Sequence, residues 1–160
     1  MNEWNDFFVA IGGASAALTG LIFVGVSINL TRILSFPTLP NRALQTLILL
    51  LIILIVSILF LIPHQPLMLI GIEVSAIGFI AVITMLWMDH YNYKNVDAPY
   101  KNQILAYSIF SQFCVLPYLI SGITLLCCGE NGVYWVVPAV ICSFLKSVID
   151  AWVLLVEINR

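Results

Sequence analysis

Apolar residues run along this chain in five long stretches, at about 7–30, 43–62, 67–88, 103–128 and 133–156. The polar breaks between them read TRILSFPTLPNR, PHQP, DHYNYKNVDAPYKN and GENG, and hold most of the prolines and turn-forming residues. A helix needs about 20 residues to cross a hydrocarbon layer ~30 Å thick, and each stretch reaches that length. The pattern predicts an all-α fold: a polytopic transmembrane helix bundle of five spans, forming a single domain over residues 1–160.

Composition agrees with that pattern. At 62% hydrophobic and 9% charged, the 160 residues carry more apolar surface than one soluble core of this size can hide. The net charge of −2 leaves no basic patch, which removes nucleic acid from the expected partners. The positions of the basic residues say more than their number. Arg32, Arg42, Lys94, Lys101 and Arg160 all fall in the first and third breaks or at the C-terminus, and none falls in the N-terminal tail or the other two breaks. The positive-inside rule then predicts the N-terminus outside and the C-terminus cytoplasmic. Trp4, Tyr134 and Trp135 would mark the outer interface, and Trp87, Tyr91, Tyr93, Tyr100 and Trp152 the inner one. The acidic start MNEWND lacks the positive region of a secretory signal, so the first segment is expected to be retained.

The first helix carries a strip of small side chains. A step of about 100° per residue places Ala10, Gly13, Ala17, Gly20, Val24, Ser27 and Thr31 on one face. Lipid tails give helices no hydrophobic reason to associate, so close backbone approach along such a strip predicts an interhelical contact. The partner is another helix of this chain, a second copy or a different protein. The third helix has a shorter strip of the same kind: Gly71, Ser75, Gly78 and Val82.

The last helix reads SFLKSVIDAWVLLVEI, and its polar groups Ser143, Lys146, Asp150 and Glu157 share one narrow face. Lys146 lies ~20 Å from the outer boundary at ~1.5 Å per residue, deep enough to need a partner. Asp150 is one turn away, but a Lys preceding an Asp is the weaker order along a helix and calls for support from elsewhere. Gln112 sits at a similar depth, and Asn29 and Arg32 at the inner end of helix 1 are placed to reach Asp150. These residues predict a polar cluster in the inner half of the bundle. It is either a functional cavity or a self-contained pair that fixes helix orientation. Glu73 is separate, ~9 Å below the outer surface. Its expected company is Ser57, Ser121 or Thr124, and it is either a proton-sensitive group or a carboxyl capping a backbone amide.

Enzyme chemistry does not assemble. The two histidines, His64 and His90, belong to breaks on opposite sides, and no nucleophile has an evident base. Cys114, Cys127, Cys128 and Cys142 lack metal-type spacing and read as packing residues. No cofactor or metal is expected.

The segments SAALTGLIFVGVSINLTRIL, LPNRAL and AWVLLVEI resemble a family of small bacterial multi-pass membrane proteins. Some of its members carry the label modulator of the FtsH protease, a membrane-anchored AAA protease. The resemblance implies a bacterial inner (plasma) membrane location and draws attention to Asn29, Arg32, Arg42 and Glu157.

Two functions follow as expectations. The first is a non-enzymatic membrane protein working through helix–helix contacts, as regulator or assembly partner of another membrane complex. The alternative is a homo-oligomeric ion or proton channel lined by the polar face of the last helix. They differ in whether that face meets its own copies around an axis or is covered by helices 1 and 4 of the same chain. A lipid- or quinone-binding module would instead require a cleft between helices.

Overall fold

The computed structural model describes residues 4–36, 38–96 and 101–158, without the side chains of Leu155, Glu157 and Ile158. The elements are α1 (Asn5–Ile28), α2 (Leu30–Leu34), α3 (Leu39–Leu61), α4 (Leu67–Lys94), α5 (Lys101–Cys128), a 3-10 segment (Gly129–Trp135) and α6 (Val136–Ile158). No strand occurs among the described residues. Among the described residues, four helical stretches are long and apolar enough to cross a membrane: α1, α3, α4, and the run Lys101–Leu154.

That last run is not straight. Ser121 Oγ donates to the Gly132 carbonyl at 2.9 Å, and Cys114 Sγ to the Cys142 carbonyl at 3.3 Å, so α6 folds back antiparallel along α5. Gly129, at φ +65°, takes the left-handed conformation at the corner. At one end of the bundle Trp4, just before α1, and Tyr134 of the 3-10 segment form an edge-to-face pair 5.1 Å apart. Just below, Phe8 stacks on Phe60 at 4.3 Å.

Proline helps to set the limits of α3 and α4. Pro40 occupies the first turn of α3, where its missing N–H costs nothing, and Pro66 precedes α4 in an extended conformation. One expected boundary is wrong: DHYNYK, read as part of a break, continues α4 to Lys94. Asp89 and Asn92 stand about one turn apart, buried against α3 and hydrogen-bonded to it, and so draw the helix onward.

α3 is the hub and packs against α1, α4 and α6, while α5 lies between α4 and α6. Leu49, Leu50, Ile53 and Val56 of α3 are fully buried. The α4–α5 seam is glycine-dependent. A Cβ on Gly78 would sit 2.6 Å from the Leu119 nitrogen, and one on Gly122 would sit 2.7 Å from Ser75 Cα. The Gly71, Ser75 and Gly78 strip is therefore this chain's own packing surface.

The longer strip on α1 is not. α1 meets α3 through Phe8, Gly12 and Ser15, roughly 150° around the helix from the Gly13 strip at 100° per residue. Ser15 Oγ donates to the Leu50 carbonyl at 2.5 Å, and a Cβ on Gly12 would come within 3.2 Å of Ser57 Cβ. Ala10, Gly13, Ala17, Gly20, Val24, Ser27 and Thr31 are all exposed, and added Cβ atoms at Gly13 and Gly20 meet nothing within 4 Å.

Candidate functional site

α6 buries Ser143, Lys146, Ser147 and Asp150 against α3 and α5, while Ile141, Leu145, Val148 and Trp152 are exposed. This is the polar face expected from the sequence, closed inside one chain. The helices most extensively packed on α6 are α3 and α5. The side chain of Glu157 lies outside the described residues.

At its centre Lys146 Nζ donates to Asp150 Oδ2 at 2.5 Å, with both side chains 1% exposed. An ion pair so deeply buried depends on other polar or polarisable neighbours to offset lost hydration. Tyr107 of α5 supplies one, its ring centroid 5.1 Å from Lys146 Nζ and 4.6 Å from the Arg42 guanidinium carbon. Two cations at one aromatic ring link α3, α5 and α6. This is the support that the weak Lys-to-Asp order required.

A second polar group lies on the adjoining face of α5, where Ser108 follows Tyr107. Ser108 Oγ donates to Asp89 Oδ2 at 3.0 Å, and Gln45 Nε2 donates to Asp89 Oδ1 at 2.7 Å. One turn further, Asn41 Nδ2 donates to Asn92 Oδ1 at 3.0 Å. Both carboxylate oxygens of Asp89 are thus engaged, and the contacts join α3, α4 and α5. Sequence reasoning passed over this group because Asp89 looked like part of a break. A signal was present: Asn41 and Gln45 are spaced i, i+4, Asp89 and Asn92 i, i+3, and both pairs lie near helix ends that α3 and α4 share.

Among the described residues, none of the other three expected members is hydrogen-bonded to the Lys146–Asp150 pair. Asn29 interrupts the helix between α1 and α2 and donates to the Gly25 carbonyl at 3.1 Å, so its amide is used within its own helix. Arg32 is exposed on α2. Gln112 is half-buried one turn beyond Ser108, with its Nε2 buried and making no hydrogen bond among the described residues. Glu73 also differs from expectation. Its Oε2 accepts from Gln65 Nε2 at 2.6 Å, because the PHQP turn folds back over the start of α4. Ser57 and Thr124 instead bond carbonyls of their own helices, and Ser121 bonds Gly132.

Asp150 Oδ1, Ser147 Oγ and Ser111 Oγ are buried without a hydrogen-bond partner among the described residues. Asp150 therefore keeps acceptor capacity beyond Lys146. The arrangement can hold a fixed ion pair and accept a further donor. Among the described residues no three His, Cys, Asp or Glu side chains gather as metal ligands, and all four cysteines are free thiols.

These features define an all-helical protein with several membrane-length apolar helices and a polar core closed within a single chain. No family model, curated protein or solved structure matches it.

Proposed function

We propose that this is a non-enzymatic bacterial inner-membrane protein that works through helix–helix contacts, as a regulator or assembly partner of another membrane complex. The observation that carries this reading is the outward small-residue strip of α1, from Ala10 to Thr31, which is exposed and uncovered among the described residues. Close packing of backbones is what small residues offer in a bilayer, and this face remains available for it. The resemblance to proteins labelled as modulators of the FtsH protease makes a membrane-anchored protease one candidate partner.

In this reading the chain crosses the bilayer five times, because α5 and α6 are each long enough to span and run antiparallel. The N-terminus is outside and the C-terminus cytoplasmic, from the distribution of Arg32, Arg42, Lys94, Lys101 and Arg160. The homo-oligomeric channel is the weaker reading. Of its proposed lining, Lys146 and Asp150 are 0% and 1% exposed within one chain, so these two are not presented to an axis shared with other copies.

The test is affinity capture in mild detergent of the wild-type chain and of a Gly13→Leu/Gly20→Leu variant, with mass-spectrometric identification. Membrane partners recovered with the wild type and lost with the variant are expected. Identical recovery from both would refute the α1 interface. Liposomes containing only this protein should stay ion-tight at all pH values, and sustained flux would favour the channel.

A further inference from the structure

Hydroxyl groups on the long helices follow a common habit. Thr19, Ser27, Thr46, Ser57 and Ser75 each donate to the carbonyl four residues earlier, a bond that needs nothing from another helix. Ser15, Ser108 and Ser121 instead donate to a group on another element. Ser111 of α5 and Ser147 of α6 do neither. Both are 0% exposed, and neither Oγ has a hydrogen-bond partner among the described residues. Buried hydroxyls are ordinarily satisfied, so these two call for a partner.

The two face each other beside the ion pair. Ser147 and Asp150 stand three residues apart on the buried face of α6. Two contacts fix the register of α5 against that face: Cys114 Sγ donates to the Cys142 carbonyl at 3.3 Å, and the Tyr107 ring lies 5.1 Å from Lys146 Nζ. Ser111 is four residues after Tyr107 and three before Cys114, about one turn from each, and so meets α6 between them. Asp150 Oδ1, the carboxylate oxygen that Lys146 leaves unengaged, is buried there without a donor among the described residues. Two hydroxyls and one carboxylate oxygen thus converge on one level of the α5–α6 seam.

We propose that Asp150 Oδ1, Ser147 Oγ and Ser111 Oγ form a binding site for a single buried water molecule, which bridges α5 to α6 beside the ion pair. About three polar partners is the usual complement of a buried water. The water donates to Asp150 Oδ1, which can only accept, and its remaining hydrogen and lone pairs serve the hydroxyls, each able to donate or accept. The carboxylate gains a second charge-assisted hydrogen bond without any opening of the seam. A metal cation suits the site less well, because the Lys146 ammonium already neutralises Asp150 and the Arg42 guanidinium shares the Tyr107 ring with it. The site is independent of the partner-binding face of α1 and stands if that reading fails.

The experiment is a crystal structure of the whole protein grown in a lipidic mesophase, at a resolution that shows ordered water, for the wild type and for Ser111→Ala/Ser147→Ala. In the wild type a water is expected within about 2.7–3.2 Å of all three oxygens. In the variant only Asp150 Oδ1 remains at the site, short of the roughly two to four polar partners a buried water needs, and the water should be lost. If the double variant does not fold or crystallise, the wild-type map decides alone. A wild-type map without this water overturns the proposal, as do hydroxyls turned back onto the Tyr107 and Ser143 carbonyls. Retention of the water in the variant would remove the role of the two serines. An anomalous peak at the site in wild-type crystals soaked in a rubidium salt would make it a cation site instead and overturn the proposal equally.

Discussion

Lys146 and Asp150 stand one turn apart on α6, joined at 2.5 Å and sealed from the surface by α3 and α5. Breaking a buried pair by removing one member leaves the other charge uncompensated, at a cost of ~3–5 kcal/mol. Lys146→Met and Asp150→Leu are each expected to destabilise the protein by about that much. The double variant should lose much less, because apolar side chains replace the pair together. Thermal unfolding of the four proteins in one detergent gives the coupling. Additive losses would show that the pair does not act as a unit.

Asp89 is held by Gln45 from α3 and Ser108 from α5. Asp89→Leu removes the acceptor and strands a buried amide, at an expected cost of ~1–3 kcal/mol. Asp89→Asn keeps one carbonyl oxygen and should cost less. Ranking the two variants by melting temperature checks this, and equal melting would place Asp89 outside the structural core.

The two glycine strips predict opposite results. Gly122→Ala drives a methyl into the backbone at Ser75 and should cost ~1–3 kcal/mol or more through displacement of α4 from α5. Gly20→Leu meets open space and should leave the unfolding of the isolated chain unchanged. Melting curves in detergent at low protein concentration compare them. Destabilisation by Gly20→Leu under those conditions would mean that α1 packs differently.

Cys127 and Cys128 are exposed at the end of α5, near the Tyr134 end of the bundle, whereas Cys114 is buried. Under the proposed inner-membrane location and orientation, a membrane-impermeant maleimide applied to cells whose outer barrier has been opened is expected to label Cys127 or Cys128 from outside and to spare Cys114. Labelling only after the inner membrane is broken would reverse the orientation inferred from the basic residues.

The chain alone located the long apolar helices, though not the extension of α4 through DHYNYK, since a stretch of about 20 apolar residues bounded by Pro, Gly and polar turns is local information. It also fixed the polar face of α6, because helical periodicity places Ser143, Lys146 and Asp150 together whatever surrounds them. What periodicity cannot encode is the surface opposite. The strip at Gly13 and Gly20 and the face at Gly12 and Ser15 both suit close packing. Only the presence of Ser57, the Leu50 carbonyl and Phe60 on α3 decided that the second turns inward. The same holds for Asp89, whose partners lie 44 and 19 residues away. In a membrane an apolar side chain gains little by leaving lipid for protein, so hydropathy carries almost no record of which faces meet. That choice rests on backbone approach and hydrogen bonds between distant segments, which exist only once the helices are assembled.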